Sequence, residues 1–179
     1  MSSTVATDQD SSRGRGPKGA RPPLYTPEQR RRRDASIWTF VQGVLAPLQF
    51  FVFAVSLVLV LRYLTTGQGF DTAVASVVFK TATLYTIMVT GSIWEKDVFG
   101  VWLFAPAFYW EDVFSMLVLA LHTAYLVALA TDALDGRSLM LLALAAYASY
   151  AINATQFVLK LRAARLDEAA RLAAAGAAA

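Results

Sequence analysis

Four stretches of this chain are apolar for far longer than a soluble helix needs to be: residues 37–61, 72–94, 113–131 and 138–159. A helix rises 1.5 Å per residue, so roughly 20 apolar residues cross the hydrocarbon of a bilayer. The first stretch contains no charged residue, the second only Lys80, the third carries His122, and the fourth contains no charge. Hydrophobic residues make up 56 % of the chain, charged residues only 16 %, and the mean hydropathy is +0.47. A soluble domain of 179 residues cannot hide that much apolar surface from water. The pattern predicts an all-α, polytopic membrane four-helix bundle that has the lipid bilayer as its main partner.

The tail 1–23 is rich in Ser, Gly, Pro, Arg and Asp, lacks apolar periodicity and is expected to be disordered. No secretory signal is expected, because the first apolar stretch begins far from Met1. The transmembrane domain is expected over 24–166, with an Ala-rich C-terminal tail over 167–179. Thr26, Pro27 and Gln29 have the spacing of a capping box with proline in the first turn. They predict a short juxtamembrane helix carrying Arg30, Arg31, Arg32 and Arg33. Pro47 is expected to kink the first span, and the polar segments 62–71 and 132–137 read as turns.

The isoelectric point near 9.3 does not signal nucleic acid. The basic residues cluster at the two ends of the chain beside apolar segments, with no groove-reading motif between them. Under the positive-inside rule this places both termini in the cytoplasm, as an even number of spans also requires. The chain has no cysteine, which excludes a disulfide scaffold, a thiolate metal site, an iron–sulfur cluster and a cysteine nucleophile. It contains no phosphate-binding loop, dinucleotide fingerprint or nucleophile elbow, and no metal cofactor is expected.

The segment 95–112 is the most informative. Glu95, Lys96 and Asp97 open it, Glu111 and Asp112 close it, and between them lie Trp102, Phe104, Pro106, Phe108, Tyr109 and Trp110. Thirteen apolar residues are too few for a span, so a re-entrant or interfacial aromatic segment between helices 2 and 3 is expected. Aromatic rings at this depth are also what an ordinary interfacial belt provides. Acids contribute little to topology, so four of them beside an aromatic surface mark a candidate acid–base site. Glu95, Asp97, Glu111 and Asp112 are the candidate catalytic groups.

His122 is the only histidine, and helical spacing puts it on one face with Glu111, Ser115 and Val118. It can bridge two helices, ligate a metal already inside a tetrapyrrole, or act as a base. Lys80 can snorkel, pair with an acid or contact a substrate. Gln42, Gln49, Asn153 and Gln156 have the character of interhelical hydrogen-bonding residues. The mostly uniform apolarity of the spans speaks against a transporter or channel subunit.

Three stretches resemble the bacteriochlorophyllide 3-vinyl hydratase family: LYTPEQRRRRDASIWTFVQGVLAPLQF (24–50), LYTIMVTGSIWEKDVFGVWLFAPAFYWEDVFSMLVLALHTAYL (84–126) and INATQFVLKLRAARL (152–166). The central stretch is the most specific. The resemblance implies a hydro-lyase without a redox cofactor. It adds water to the 3-vinyl group of chlorophyllide a or bacteriochlorophyllide, giving the 3-(1-hydroxyethyl) product on the route to bacteriochlorophyll a. It implies a magnesium tetrapyrrole as substrate, a bacterial cytoplasmic or intracytoplasmic membrane, and contact with neighbouring pigment-pathway enzymes. On this reading Glu95 or Glu111 is the acid and Asp97 or Asp112 the base. Trp102, Phe108, Tyr109 and Trp110 dock the macrocycle together with Lys80, and His122 holds its magnesium or serves as an alternative base. The rival is a non-enzymatic tetrapyrrole-binding or assembly protein, which needs the aromatic surface and His122 but not the acids.

Overall fold

The computed structural model describes residues 23–177, so the expected N-terminal tail lies outside the described residues except for Pro23. Five helices follow one another: α1 (Pro27–Ala35), α2 (Ile37–Thr66), α3 (Phe70–Phe99), α4 (Tyr109–Ala130) and α5 (Gly136–Ala177). Four of them, α2 to α5, are long and apolar enough to cross a membrane. The chain is therefore an all-α membrane protein, with no strand among the described residues.

Local chemistry sets where each helix starts and stops. The Thr26 hydroxyl accepts from the Gln29 backbone at 3.2 Å, and the Gln29 side chain accepts from the Thr26 backbone at 2.9 Å. This is the reciprocal capping box the sequence predicts. Ser36 ends α1 and caps α2 through Trp38 N–H. Pro47 stands inside α2, which runs on without a break in its helical assignment. Gly100, with φ of +82°, stops α3 in the left-handed conformation that only glycine adopts at little cost. At the other end of the bundle Gly136 opens α5 against α2 and α3. A Cβ there would lie 2.7 Å from the Tyr63 hydroxyl and 3.0 Å from the Phe70 ring, so the side chain must be absent.

The helices pack in two pairs, α2 along α3 and α4 along α5, joined chiefly through α2 and α5. Val60, Val77, Leu84, Tyr125, Met140 and Tyr147 lie in the buried seam, while Phe40, Phe51 and Val58 face outward. Lipid is as apolar as these side chains, so close packing and interhelical hydrogen bonds must carry much of the specificity. Ser56 provides one such junction: its hydroxyl meets Ser76 at 2.7 Å and the Tyr147 hydroxyl at 2.5 Å, tying α2, α3 and α5. Gln42 donates to Thr90 at 2.7 Å, and the Trp94 indole donates to Thr39 at 2.9 Å. Arg30 on α1 pairs with Glu168 on α5 at 2.8 Å, so α1 and the far part of α5 meet at the same end of the bundle.

The segment between the second and third spans departs from the expected boundaries. α3 continues past Trp94 to Phe99, and α4 begins at Tyr109, leaving only residues 100–108 outside helix. No glycine or proline stands between Trp94 and Gly100, so residues 95–99 extend the span. Glu95 therefore sits on the last turns of α3, while Glu111 and Asp112 lie in the first turn of α4.

Candidate active site

Two of the four acids come together. Glu95 and Asp112 are both buried, and their carboxyl groups are within hydrogen-bonding reach of each other. Each is held by the connecting loop: Ala105 N–H donates to Glu95 Oε2 at 3.1 Å, and Phe104 N–H donates to Asp112 Oδ2 at 2.9 Å. A hydrogen bond between two carboxyl groups requires one proton between them. With one proton on it, such a pair offers a proton donor and a proton acceptor side by side. Phe104 takes a φ of +60°, an uncommon and strained conformation for a bulky side chain. That strain is located where the loop turns its amide toward Asp112.

The other two acids have different surroundings. Glu111 Oε2 is ion-paired with Lys160 Nζ of α5 at 2.5 Å. Its backbone carbonyl accepts from Asn153 Nδ2 at 2.8 Å and from the Ser115 hydroxyl at 2.9 Å. This network locks α4 to α5 directly beside Asp112. Asp97 is exposed and does not join the other three.

The Glu95–Asp112 pair opens onto a cleft of about 1410 Å³ between α2, α3 and α5. Such a volume exceeds the roughly 300–1,000 Å³ of ordinary small-molecule sites, enough in volume for a ligand of macrocycle size. Thr39, Gln42, Ala46 and Gln49 of α2 form one wall, and Leu84, Met88 and Gly91 of α3 another. Tyr150, Asn153, Phe157 and Lys160 of α5 face them. At the outer end the Arg33 guanidinium lies 4.8 Å over the Tyr25 ring. Burial outweighs that neighbouring cation and raises the Tyr25 hydroxyl above its ordinary value.

The aromatic residues divide. Phe108 is 2 % exposed, lines the cleft, and stacks on Phe157 with ring centroids 5.8 Å apart. Trp102, Tyr109 and Trp110 point outward, 58 %, 47 % and 68 % exposed. His122 and Lys80 are fully buried and do not line the cleft. His122 Nδ1 bonds to the Val118 carbonyl at 2.8 Å and Nε2 to Lys80 Nζ at 3.0 Å. The carbonyl can only accept, so Nδ1 carries the proton and Nε2 receives the bond from Lys80. Both ring nitrogens are engaged within the bundle. The Lys80 ammonium also lies 4.0 Å from the Tyr150 ring centroid.

Sequence reasoning missed the loop amides of Phe104 and Ala105, because backbone donors have no residue signature. Lys160 is legible only as one of the basic residues clustered beside the last apolar stretch, while Asn153 makes the interhelical bond its type suggests; contact with Glu111 joins both to the site.

The fold and this site define a polytopic membrane protein with a buried, closely spaced carboxyl pair beside a large, mostly apolar cleft. The sequence matches the 2-vinyl bacteriochlorophyllide hydratase family over residues 25–163. A 2-vinyl bacteriochlorophyllide hydratase from Cereibacter sphaeroides is 68 % identical over 144 residues, covering 80 % of this chain and 89 % of the relative. Another from Rhodobacter capsulatus is 63 % identical over 150 residues, covering 84 % and 87 %. The chain belongs to the 2-vinyl bacteriochlorophyllide hydratase family. No solved structure matches it.

Proposed function

We propose that this protein is a hydro-lyase that adds water to the vinyl group of a chlorophyllide or bacteriochlorophyllide during bacteriochlorophyll synthesis, and that Glu95 and Asp112 carry the proton transfers. Family membership supports the reaction; the single observation that supports the residues is the carboxyl pair facing the cleft. The protonated member of the pair gives its proton to the terminal vinyl carbon. The C=C π bond breaks, a C–H bond forms, and a cation develops on the carbon beside the ring, where the conjugated macrocycle spreads the charge. Water attacks that carbon, and the ionised partner takes the proton the water releases. The pair again holds one proton, so the cycle needs no proton from outside the site.

The surrounding structure suits each step. The two loop amides orient the carboxyl groups and keep their second oxygens occupied. Phe108 and Phe157 provide an apolar wall for the macrocycle and limit access of bulk water to the developing cation. The magnesium belongs to the substrate, and since both nitrogens of His122 are bonded inside the bundle, we assign that histidine to the Lys80 pair rather than to the metal.

The same proposal sets the protein in the bacterial inner membrane with both termini cytoplasmic. The arginines of α1 and the basic residues Lys160, Arg162 and Arg165 of α5 support this, clustering at the end where α1 meets the far part of α5. Exposed Trp102, Tyr109 and Trp110 fit an interfacial belt there, near which pigment passes to and from neighbouring pathway enzymes. The experiment is an assay of membranes containing the protein, supplied with chlorophyllide a in water labelled with heavy oxygen. The expected product gains one water, with the label in the new hydroxyl. Pigment that binds but returns unchanged, for both the chlorin and the bacteriochlorin, points instead to a pigment-carrying protein.

A further inference from the structure

The inner end of the cleft carries a polar group that the acid–base chemistry does not use. Gln49, in the middle of α2, lines the cleft and is only 3 % exposed. Neither its amide nitrogen nor its amide oxygen has a hydrogen-bond partner among the described residues. Gln42, two turns earlier on the same helix and in the same wall, donates to Thr90. A buried primary amide with both ends unpaired is costly in apolar surroundings, and in the wall of a ligand cleft it calls for a partner that arrives with the ligand.

The level of Gln49 in the bundle says which part of the ligand it meets. α2 and α3 run antiparallel, with Gln42 beside Thr90. Seven residues further along α2, Gln49 falls level with Leu84, which lines the same cleft. Leu84 and Glu95 are eleven residues apart on α3, about 16 Å along the axis. That separation is of the same order as the length of a tetrapyrrole with a side chain at either end. On a chlorophyllide-type macrocycle the vinyl group stands at one end of this length. The ketone of the fifth, carbocyclic ring stands at the other.

We propose that Gln49 is a specificity-determining residue whose amide N–H donates to the ring ketone of the macrocycle, setting the vinyl group against Glu95 and Asp112. The assignment rests on the hydratase reading for which end of the substrate faces the acids. A hydrogen bond at the far end of a rigid ring fixes the position of the near end. It also selects tetrapyrroles that have completed the ketone-bearing ring over those that have not, since a ligand without the carbonyl leaves the amide unpaired.

The test uses the full-length protein in lipid nanodiscs with chlorophyllide a and with its analogue in which the ketone is reduced to a methylene. Resonance Raman reads the ketone stretch of bound pigment, and titration reads its affinity. In the wild type the ketone band should lie below its frequency in a non-hydrogen-bonding solvent, and the methylene analogue should bind about tenfold more weakly. Gln49→Leu should return the band to the free frequency, weaken chlorophyllide binding about tenfold and abolish the preference for the ketone. A wild-type ketone band at the free frequency, or equal affinity of the wild type for both pigments, overturns the proposal. These two wild-type measurements decide even if the variant does not fold. Turnover in the same nanodiscs separates the two ideas: a lowered ketone band without hydration overturns the proposed activity and leaves the pigment contact standing. Hydration with a free ketone does the reverse.

Discussion

Glu95 near the end of α3 and Asp112 at the start of α4 bring their buried carboxyl groups within hydrogen-bonding reach of each other across the loop that joins their helices, and that same loop donates one backbone N–H to each of them. The loop closes the chain between the two helices and also positions the carboxyl groups against each other. A change to either acid is therefore felt by both.

Glu95→Gln and Asp112→Asn should each lower kcat for vinyl hydration by about 10²- to 10⁴-fold, the range expected for losing a general acid or base. The double variant should be little worse than either single one, because the two groups act as a unit. Asp97→Asn, at an exposed position outside the pair, should stay within about twofold of the wild type. Rates of product formation measured by absorbance on purified variants decide this. Full activity in both single amides rules out the acid–base scheme.

Lys160→Met leaves the Glu111 carboxylate buried without its ion-pair partner. The expected loss is on the order of 2 kcal/mol of stability, and Glu111→Gln in the same chain should recover most of it. Thermal unfolding in detergent, followed by circular dichroism, gives both numbers. If the second change recovers nothing, Lys160 contributes by some route other than neutralising Glu111.

His122 and Lys80 fill each other's hydrogen-bonding needs away from the cleft. Lys80→Met removes a buried ammonium of similar length, and pigment affinity should change by less than about threefold. His122→Phe should leave the absorption bands of bound magnesium pigment where they are. A band shift indicating loss of an axial ligand in that variant assigns His122 to the metal instead.

Asp135 caps α5, accepting from the backbone N–H groups of Arg137 at 2.9 Å and Ser138 at 3.1 Å and from the Ser138 hydroxyl at 2.6 Å. The Ser138 hydroxyl and N–H hold its carboxyl below the usual value. A group whose folded pKa is depressed stabilises the fold above its unfolded pKa, here about 3.9, and loses that contribution as pH falls through the folded value. The melting temperature of the wild type should thus fall toward that of Asp135→Ala as pH is lowered from about 5 to below 3. A constant gap between the two curves across that range counts against the cap.

The sequence by itself determined the class of fold and the number of spans. Long uncharged runs such as 37–61 have only the bilayer interior available to them, and the basic residues around Arg30–Arg33 and Lys160 mark the ends of those runs. The capping box at Thr26 was legible for the same reason: it depends on neighbours three residues apart. The four acids were legible as a group, since acids are scarce beside so much apolar sequence. How they divide was not. Which carboxyl meets which depends on where α3 stops and on how α4 lies against α5. Gly100 and the Phe104–Ala105 amides bring Asp112 to Glu95, whereas Lys160, forty-nine residues along the chain, draws Glu111 away. The pairing of Lys80 with His122 and the unpaired amide of Gln49 belong to that tertiary level too. A hydrogen bond between helices is fixed by their relative rotation, and the near-uniform apolarity of a membrane span records little of that rotation in sequence.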